Sequence, residues 1–446
     1  MATPPPFSSI VPIRQVSRPG VPSIHRFYDT SPISPSGSFV ALTEFDYEDR
    51  LPEPGDSASV IVISLESGDE VYRTRTAAWD TQLGAQVQWG ASDSQLFFNR
   101  IDPGEWKPRA SVVDPSSGRE SELAGPAYMA SPDGKTLLSP DLKRIWLVQP
   151  GYGVVVPASE RSAPQGAQED DGLFATDVAT GRSRLAISFA EIYEKLGESF
   201  AKIDVRRGGF FGFHVKWSPD GRRIMFIARW QEHLARRGHS KNWLLTMDAN
   251  FENLRVALTP ERWAGGHHPN WCPDSEHIVM NLAFPNRRLA SPRVSHLLDR
   301  VARRTHLPVY RAAYTLRLAR FRFDGTNIAP VATANKGSGH PTWHEPTGSV
   351  LTDAYPWEDV SNGDGTSPIR FISAQTGEAK TLMDVPTTPQ YMGPRREWRV
   401  DPHPAWNREC DQFAFNGLAH GVRGVFIADM RPLLEKGIAT SGGACK

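Results

Sequence analysis

Four histidines occupy the same place in a repeated stretch of this sequence. His214, His268, His340 and His403 each lie three residues before a tryptophan, and Gln86 holds the corresponding position in a further copy. The chain contains 13 histidines in all, and a random scatter would seldom give this spacing. The pattern therefore predicts that a repeating architecture brings these side chains together.

Clustered imidazoles with an amide oxygen suit two kinds of chemistry. Neutral imidazoles bind divalent transition metals such as Mn, Zn or Ni, whereas Ca would require more carboxylates. A histidine that titrates near neutral pH can also act as a general base. The sequence leaves a structural alternative open, in which the imidazoles only satisfy buried backbone groups at a channel rim.

The repeat that carries these residues consists of two strands joined by a tight turn. Trp217-Ser218-Pro219-Asp220-Gly221 is the clearest copy, in which Pro sets φ, Asp bonds the local backbone and Gly takes the positive φ that ends the turn. Seven such copies predict an all-β fold, a single seven-bladed β-propeller over residues 1–446. The blades start near residues 30, 86, 127, 214, 268, 340 and 403, with insertions near 140–170 and 284–312.

The last copy ends without room for a fourth strand. We therefore expect Ile10 to Val16 to complete the last blade, so that the N- and C-terminal strands close the ring. The second strand of each blade returns to the mouth at which the histidines lie. Its far end carries candidate catalytic and substrate-binding residues: Arg229, Arg100, Tyr355, Asn99, Asn281, Asp353, Asn416 and His420.

Arginines could collect an acidic substrate at this mouth. Arg229 and Arg100 end second strands, and the insertion near 284–312 adds further arginines that include Arg288. This insertion is either a basic lid over the channel or a solvated helix bracing the blade. Arg pairs a carboxylate through two parallel N–H donors, so we predict a carboxylate-bearing ligand.

Composition excludes several classes of protein. Lys plus Arg equals Asp plus Glu at 50 each, so no global field would hold nucleic acid or an anionic membrane. Three cysteines give no disulfide framework. The sequence pattern predicts neither a signal peptide at the given N-terminus nor a membrane-spanning apolar run. We expect a monomer or weak homo-oligomer that is cytoplasmic, or secreted or periplasmic if a signal peptide has been removed.

The histidines, Gln86 and the rim arginines together resemble the oligogalacturonate lyases, and also the ulvan and rhamnose-glucuronate lyases. The turn motif is similar to the TolB-type propeller repeat. The resemblance implies β-elimination of uronic-acid glycosides, with a metal on His and Gln ligands. By repeat order it implies His214 as the base, Arg229 or Arg100 as the carboxylate partner, and His268, His340, His403 and Gln86 as metal ligands. Tyr355 would then either protonate the leaving oxygen or only hydrogen-bond a sugar hydroxyl.

Two other functions remain open from the sequence. A non-catalytic TolB-like propeller would bind a protein or peptide at the channel mouth and would need no transition metal. A propeller glycoside hydrolase would need two facing carboxylates, for which Glu44, Asp46 and Asp353 are candidates. The chain has no Gly-x-Ser-x-Gly elbow and no phosphate-binding Gly-rich loop, which argues against an attached hydrolase or nucleotide chemistry.

Overall fold

The computed structural model describes residues 7–232, 240–263, 265–285 and 314–435, and it contains seven four-stranded antiparallel sheets. The predicted seven-bladed β-propeller is confirmed. Blade I consists of β2 (Ser23–Ile24), β3 (Phe39–Glu44), β4 (Ala58–Ser64) and β5 (Glu70–Thr76). Blade II consists of β6 (Gln88–Trp89), β7 (Leu96–Arg100), β8 (Arg109–Asp114) and β9 (Arg119–Glu122). Blade III consists of β10 (Met129–Ala130), β11 (Thr136–Ser139), β12 (Gly172–Asp177) and β13 (Ser183–Ser188).

Blades IV to VI repeat the same order from the innermost strand outward. Blade IV consists of β14 (Gly208–Trp217), β15 (Arg223–Glu232), β16 (Lys241–Asp248) and β17 (Arg255–Leu258). Blade V consists of β18 (His267–Trp271), β19 (His277–Pro285), β20 (Tyr314–Arg322) and β21 (Ala329–Pro330). Blade VI consists of β22 (Thr342–His344), β23 (Ser349–Thr352), β24 (Thr366–Ser373) and β25 (Ala379–Pro386).

Blade VII joins the two ends of the chain. It consists of β26 (Ala405–Trp406), β27 (Gln412–Ala419), β28 (Val422–Asp429) and, as its outermost strand, β1 (Ile13–Gln15). Arg14 lies opposite Ile427 in this antiparallel pairing, which confirms the predicted closure of the ring. The regular pairing is shorter than the predicted Ile10 to Val16, because Ile10 instead donates its backbone N–H to Leu382 of blade VI at 2.8 Å.

Short helices occupy connections between the strands. They are α1 (Leu142–Val148), α2 (Phe189–Lys195), α3 (Gly197–Phe200), α4 (Pro260–Trp263) and α5 (Arg431–Glu435), with 3₁₀ turns at Ala158–Glu160, Val205–Arg207 and Glu345–Thr347. Helix α1 lies between β11 and β12, within the region predicted as an insertion near 140–170. Residues 286–313, which include most of the second predicted insertion, lie outside the described residues. No helix among the described residues is long and apolar enough to cross a membrane.

The first blade differs from the sequence repeat. Its inner strand begins at Ser23 rather than near residue 30, and pairing resumes only at Ile33, which bridges to Val40. The intervening residues fold across the central channel, where Phe27 and Tyr28 are 0% and 2% exposed. We call residues 25–32 the channel plug. On its far side, a cavity of about 450 Å³ is lined by the inner-strand ends and their turns.

Candidate functional site

The starts of the inner strands bring the predicted histidines to the channel axis. The ring centroids of His268 and His340 lie 3.9 Å apart, and those of His340 and His403 lie 4.3 Å apart. Phe27 of the channel plug lies at the centre of the cluster, with its ring 4.6 Å from His403 and stacked on His214 at 5.0 Å. The sequence repeat therefore places imidazoles from four blades around the apolar ring of Phe27.

His340 is oriented by a buried carboxylate. Its Nδ1 atom lies 3.0 Å from each of the two side-chain oxygens of Asp353, and neither residue is more than 1% exposed. Burial acts to raise the pKa of Asp353, but His340 and two backbone N–H groups hold that pKa below its usual value. The Asp353 carboxylate therefore holds the Nδ1 edge of the ring, and Nε2 of His340 is buried with no protein partner among the described residues.

Asp401 and His403 supply further unpartnered atoms beside His340. Asp401 accepts from Arg399 through Oδ2 at 2.8 Å, while its Oδ1 and both ring nitrogens of His403 are buried without a described partner. Burial lowers the pKa of His403 well below its usual value, so the imidazole is neutral. One ligand atom from each of His340, Asp401 and His403 falls within 4.8 Å of the other two.

This donor set fits a divalent transition metal. Two imidazoles and one carboxylate are ligands that Mn, Zn and Ni accept, and a buried unpartnered nitrogen otherwise costs free energy. The Asp353 carboxylate behind His340 is the hydrogen-bonded support that metal-ligating histidines usually have. Three protein ligands would leave coordination positions for a ligand from solution.

Gln86 is bound to the channel plug. Its Oε1 accepts from Nε of Arg26 at 3.1 Å, and Arg26 in turn pairs with Asp29 at 2.9 Å. Lys216 also pairs with Asp29, at 2.8 Å. Burial acts to raise the pKa of Asp29, but these two cations hold it below its usual range. Gln86 therefore anchors the channel plug in this structure, and its place as a metal ligand stays a prediction.

His268 lies at the more accessible edge of the cluster. Its Nδ1 contacts the carbonyl oxygen of Gly339 at 2.9 Å, so Nδ1 carries the proton and Nε2 accepts from the hydroxyl of Tyr355 at 3.1 Å. Burial lowers the pKa of His268 and raises the pKa of Tyr355 well above its usual value. A neutral imidazole thus holds a protonated phenol, and in this structure both ring nitrogens of His268 are in use.

His214 lies across Phe27 from that pair. Its Nδ1 is hydrogen-bonded to the hydroxyl of Tyr128, and the side chain is 4% exposed. Burial lowers the pKa of His214 well below its usual value, which makes it a neutral base. Arg229 stacks on Phe213 at 4.4 Å and donates to Asn242 at 2.6 Å and Gln149 at 2.7 Å. Arg229 therefore binds the residue that follows helix α1, and it ties β15 to the insertion near 140–170, which we call the α1 insertion.

The three predicted amide residues act between blades. Asn99 bonds both backbone groups of Ala127 at 2.8 Å, and Asn281 donates to Gly339 at 2.9 Å. Asn416 accepts from the backbone N–H of His25 at 3.1 Å. Each amide is buried and joins the second strand of its blade to the chain at or beside the inner strand of the next blade. Oδ1 of Asn281 is the one oxygen of these three amides that is buried without a partner among the described residues.

The remaining predicted residues lie away from the histidine cluster. Arg100 is paired with Glu120 at 2.6 Å and donates to the backbone of Arg75 at 2.8 Å. His420 is exposed in the turn between β27 and β28, with φ 52°. Arg288 lies outside the described residues. The structure thus brings together His214, His268, His340, His403, Asp353 and Tyr355.

Sequence reasoning missed several residues of the site. Arg399 and Asp401 precede His403 at every second position, a local pattern that could have been recognised. His25, whose ring lies edge-on to His403 at 6.5 Å, belongs to the interrupted strand of blade I. Tyr152 of the α1 insertion accepts from Arg399 at 2.9 Å, and no repeat position indicates this contact.

Comparison with solved structures shows the same fold in proteins of distant sequence. An oligogalacturonate lyase in complex with manganese is 14% identical with a TM-score of 0.57, covering 95% of this chain and 94% of that chain. Oligogalacturonate lyase from Vibrio parahaemolyticus is 13% identical with a TM-score of 0.55, covering 95% of each chain. TolB from Acinetobacter baumannii has a TM-score of 0.36 at 10% identity, with coverages of 85% and 78%, which is too distant to carry an argument. No protein-family model and no curated protein sequence matches this chain. At these identities the comparisons establish the propeller fold.

Proposed function

We propose that this protein is a metal-dependent lyase that cleaves uronic-acid-containing oligosaccharides or polysaccharides by β-elimination. The observation that carries the proposal is that one ligand atom from each of the buried residues His340, Asp401 and His403 falls within 4.8 Å of the other two. Each of the three residues also has a buried nitrogen or oxygen atom without a partner among the described residues. The presence of manganese in a lyase of the same fold supports it. The substrate class rests on that likeness together with the site residues.

His340, Asp401 and His403 would hold the ion. A bound divalent metal would supply positive charge against the uronate carboxylate and against the enolate-like charge that develops when C5 is deprotonated. Arg399 binds Asp401 at 2.8 Å and Tyr152 at 2.9 Å, so it orients the carboxylate ligand from behind. His268 adjoins His340 with a centroid distance of 3.9 Å, and its role as a further ligand stays a prediction.

His214 and Tyr355 both adjoin the histidine cluster and are suited to opposite proton transfers. In the proposed reaction, neutral His214 accepts the C5 proton, the bond between C4 and the glycosidic oxygen breaks, and a C4–C5 double bond forms. Tyr355 keeps its proton because burial raises the pKa of its hydroxyl, and it donates that proton to the departing oxygen. His268 positions Tyr355 through the 3.1 Å hydrogen bond.

The hydrolase alternative has less support. Glu44 is buried against Arg18 and Arg73, Asp46 pairs with Arg75, and Asp353 is bound to His340. These three carboxylates are each engaged separately, whereas glycoside hydrolysis needs an acid and a base facing one substrate bond.

Two measurements on the purified protein test the proposal. Metal analysis should find one transition metal ion per chain, lost in His340→Ala and kept in His277→Ala, because His277 binds Asp274 at the far end of blade V. Incubation with a panel of uronate polymers should produce the ultraviolet absorbance of an unsaturated product. Chain cleavage without that absorbance would indicate a hydrolase, and the absence of both metal and cleavage would favour the TolB-like binding protein.

A further inference from the structure

A continuous stack of side chains leads outward from the His268–Tyr355 pair. The ring of Tyr355 lies parallel to the indole of Trp357, with centroids 4.6 Å apart and an interplanar angle of 18°. On Trp357 lies the guanidinium of Arg396, whose central carbon is 4.6 Å from the ring centroid. The indole of Trp357 therefore lies between Arg396 and the phenol of Tyr355, which would donate the proton in the proposed reaction.

Other arginines near this mouth are already committed to protein groups. Arg395 pairs with Glu397 at 3.1 Å, Arg399 pairs with Asp401 at 2.8 Å, and Arg423 donates to the carbonyl of Trp398 at 2.9 Å. By contrast, Arg396 is exposed, and its charged group has no carboxylate partner within the described ranges. An incoming anion would not have to displace an existing ion pair from Arg396.

The backbone also holds Arg396 in an unusual conformation. Its φ is 63°, a left-handed value that residues other than glycine rarely adopt. The backbone N–H of Arg396 donates to Gly393 at 3.2 Å, and its carbonyl accepts from the side chain of Arg399 at 3.3 Å. Strained backbone of this kind concentrates at ligand-binding positions, and here the contact with Arg399 ties Arg396 to the cluster that contains Asp401.

Stacking on an indole orients a guanidinium without using its hydrogen-bond donors. The plane of the group is fixed by the ring, while the N–H edge remains free to meet a carboxylate through two parallel bonds. We propose that Arg396, held on Trp357, recognises the carboxylate of a uronate residue next to the one that is deprotonated. This inference rests on the proposed lyase function, and the offset from Tyr355 is what separates this subsite from the reacting sugar.

The subsite can be tested by comparing an acidic ligand with its neutral form. Isothermal titration of chelator-treated protein would use a uronate trisaccharide and the methyl ester of the same trisaccharide, and KM for the free acid would be measured on metal-loaded protein. Arg396→Ala should weaken binding of the acid about 10-fold and raise KM by a similar factor, with kcat nearly unchanged, because a charge-assisted pair is lost outside the reacting centre. Binding of the ester should not change.

Two further variants make the comparison specific. Arg396→Lys should recover only part of the affinity, because an ammonium keeps the charge but cannot form the two-bond fork. Arg408→Ala removes an exposed arginine from the turn after β26, at the other end of the channel, and should bind the acid as the wild type does. If Arg396→Ala binds and cleaves the acid as well as Arg408→Ala does, the subsite is wrong while the lyase function stands. If the wild type neither binds nor cleaves the acid, both proposals fail.

Discussion

The carboxylate of Asp353 in blade VI accepts a hydrogen bond from the backbone N–H of His403 in blade VII at 3.1 Å. The same carboxylate accepts from the backbone N–H of His340 at 2.6 Å and contacts Nδ1 of that residue. One buried acid thus sets the positions of two proposed metal ligands from neighbouring blades.

Asp353→Asn should therefore weaken metal binding without abolishing it. Loss of a carboxylate behind a ligating histidine costs about 10- to 100-fold in metal affinity. Competition with a chelator for Mn would measure the change. Asp324→Asn is the matched control, because Asp324 is a turn residue that bonds Thr326 and pairs with Arg322 within its own hairpin. Equal affinity in the two variants, with Asp353→Asn still folded, would remove Asp353 from the site.

His214→Ala should lower kcat by about 10²-fold or more, the usual contribution of a general base, with KM nearly unchanged. Steady-state rates of unsaturated-product formation measure both constants. The control is His344→Ala, since His344 is buried in β22 but bonds Thr347 and Cys410 at the turn end of the blade. Full activity in His214→Ala would refute its assignment as the base.

Tyr355→Phe removes the proposed proton donor while keeping the ring that stacks on Trp357. We expect kcat to fall by about 10²-fold on an unactivated glycoside. A substrate with a good leaving group, such as a nitrophenyl uronide linked at C4, should recover most of the rate because its oxygen needs no proton. An equal loss on both substrates would mean that Tyr355 only positions the sugar.

Asn99→Ala tests the contacts between blades. The change leaves the buried N–H and C=O of Ala127 without partners, so the free energy of unfolding should fall by about 2 kcal/mol. Urea unfolding measures it. Asn250→Ala, which removes an exposed amide bound only to Glu252 and its own turn, should change stability by less than about 0.5 kcal/mol.

The buried histidines predict a loss of stability in acid. Burial lowers the pKa of His25 to about 4, below the ordinary histidine value of about 6.5. Between these values the unfolded chain binds a proton that the folded protein does not, so stability is complete above pH ~6.5 and falls as the pH decreases. Each such histidine contributes up to about 1.4 kcal/mol per pH unit.

Urea unfolding of metal-free protein at several pH values would measure this slope. His25→Asn should have a shallower slope than the wild type. Identical slopes in the two proteins would show that His25 does not titrate on unfolding.

The blades could be predicted because each is specified locally. Trp217 to Gly221 encodes its own turn, and the turn fixes the register of the strands on either side. His214, His268, His340 and His403 followed from that register. Asp353 and Tyr355 followed as well, because an antiparallel second strand must return to the mouth where the first began.

The rest of the site depends on contacts that no local rule encodes. The channel plug interrupts the first inner strand, so the repeat places the start of blade I near residue 30 and does not indicate His25. Gln86 stands at a repeat position, yet the guanidinium of Arg26 reaches its oxygen from the plug. Asp401 lies in an irregular segment ahead of β26, where strand periodicity gives no orientation.

Phe27 lies across the axis of the propeller, within 6.2 Å of the rings of His214, His268, His340 and His403. Phe27 therefore closes the channel, and the propeller has a separate recess on each face rather than one open passage. A solute that reaches His268 and Tyr355 must leave by the same opening through which it entered. The product of any reaction there therefore leaves by the route that the substrate uses. The 450 Å³ cavity lined by Lys216 and Trp217 lies on the other side of the channel plug and is reached from that side.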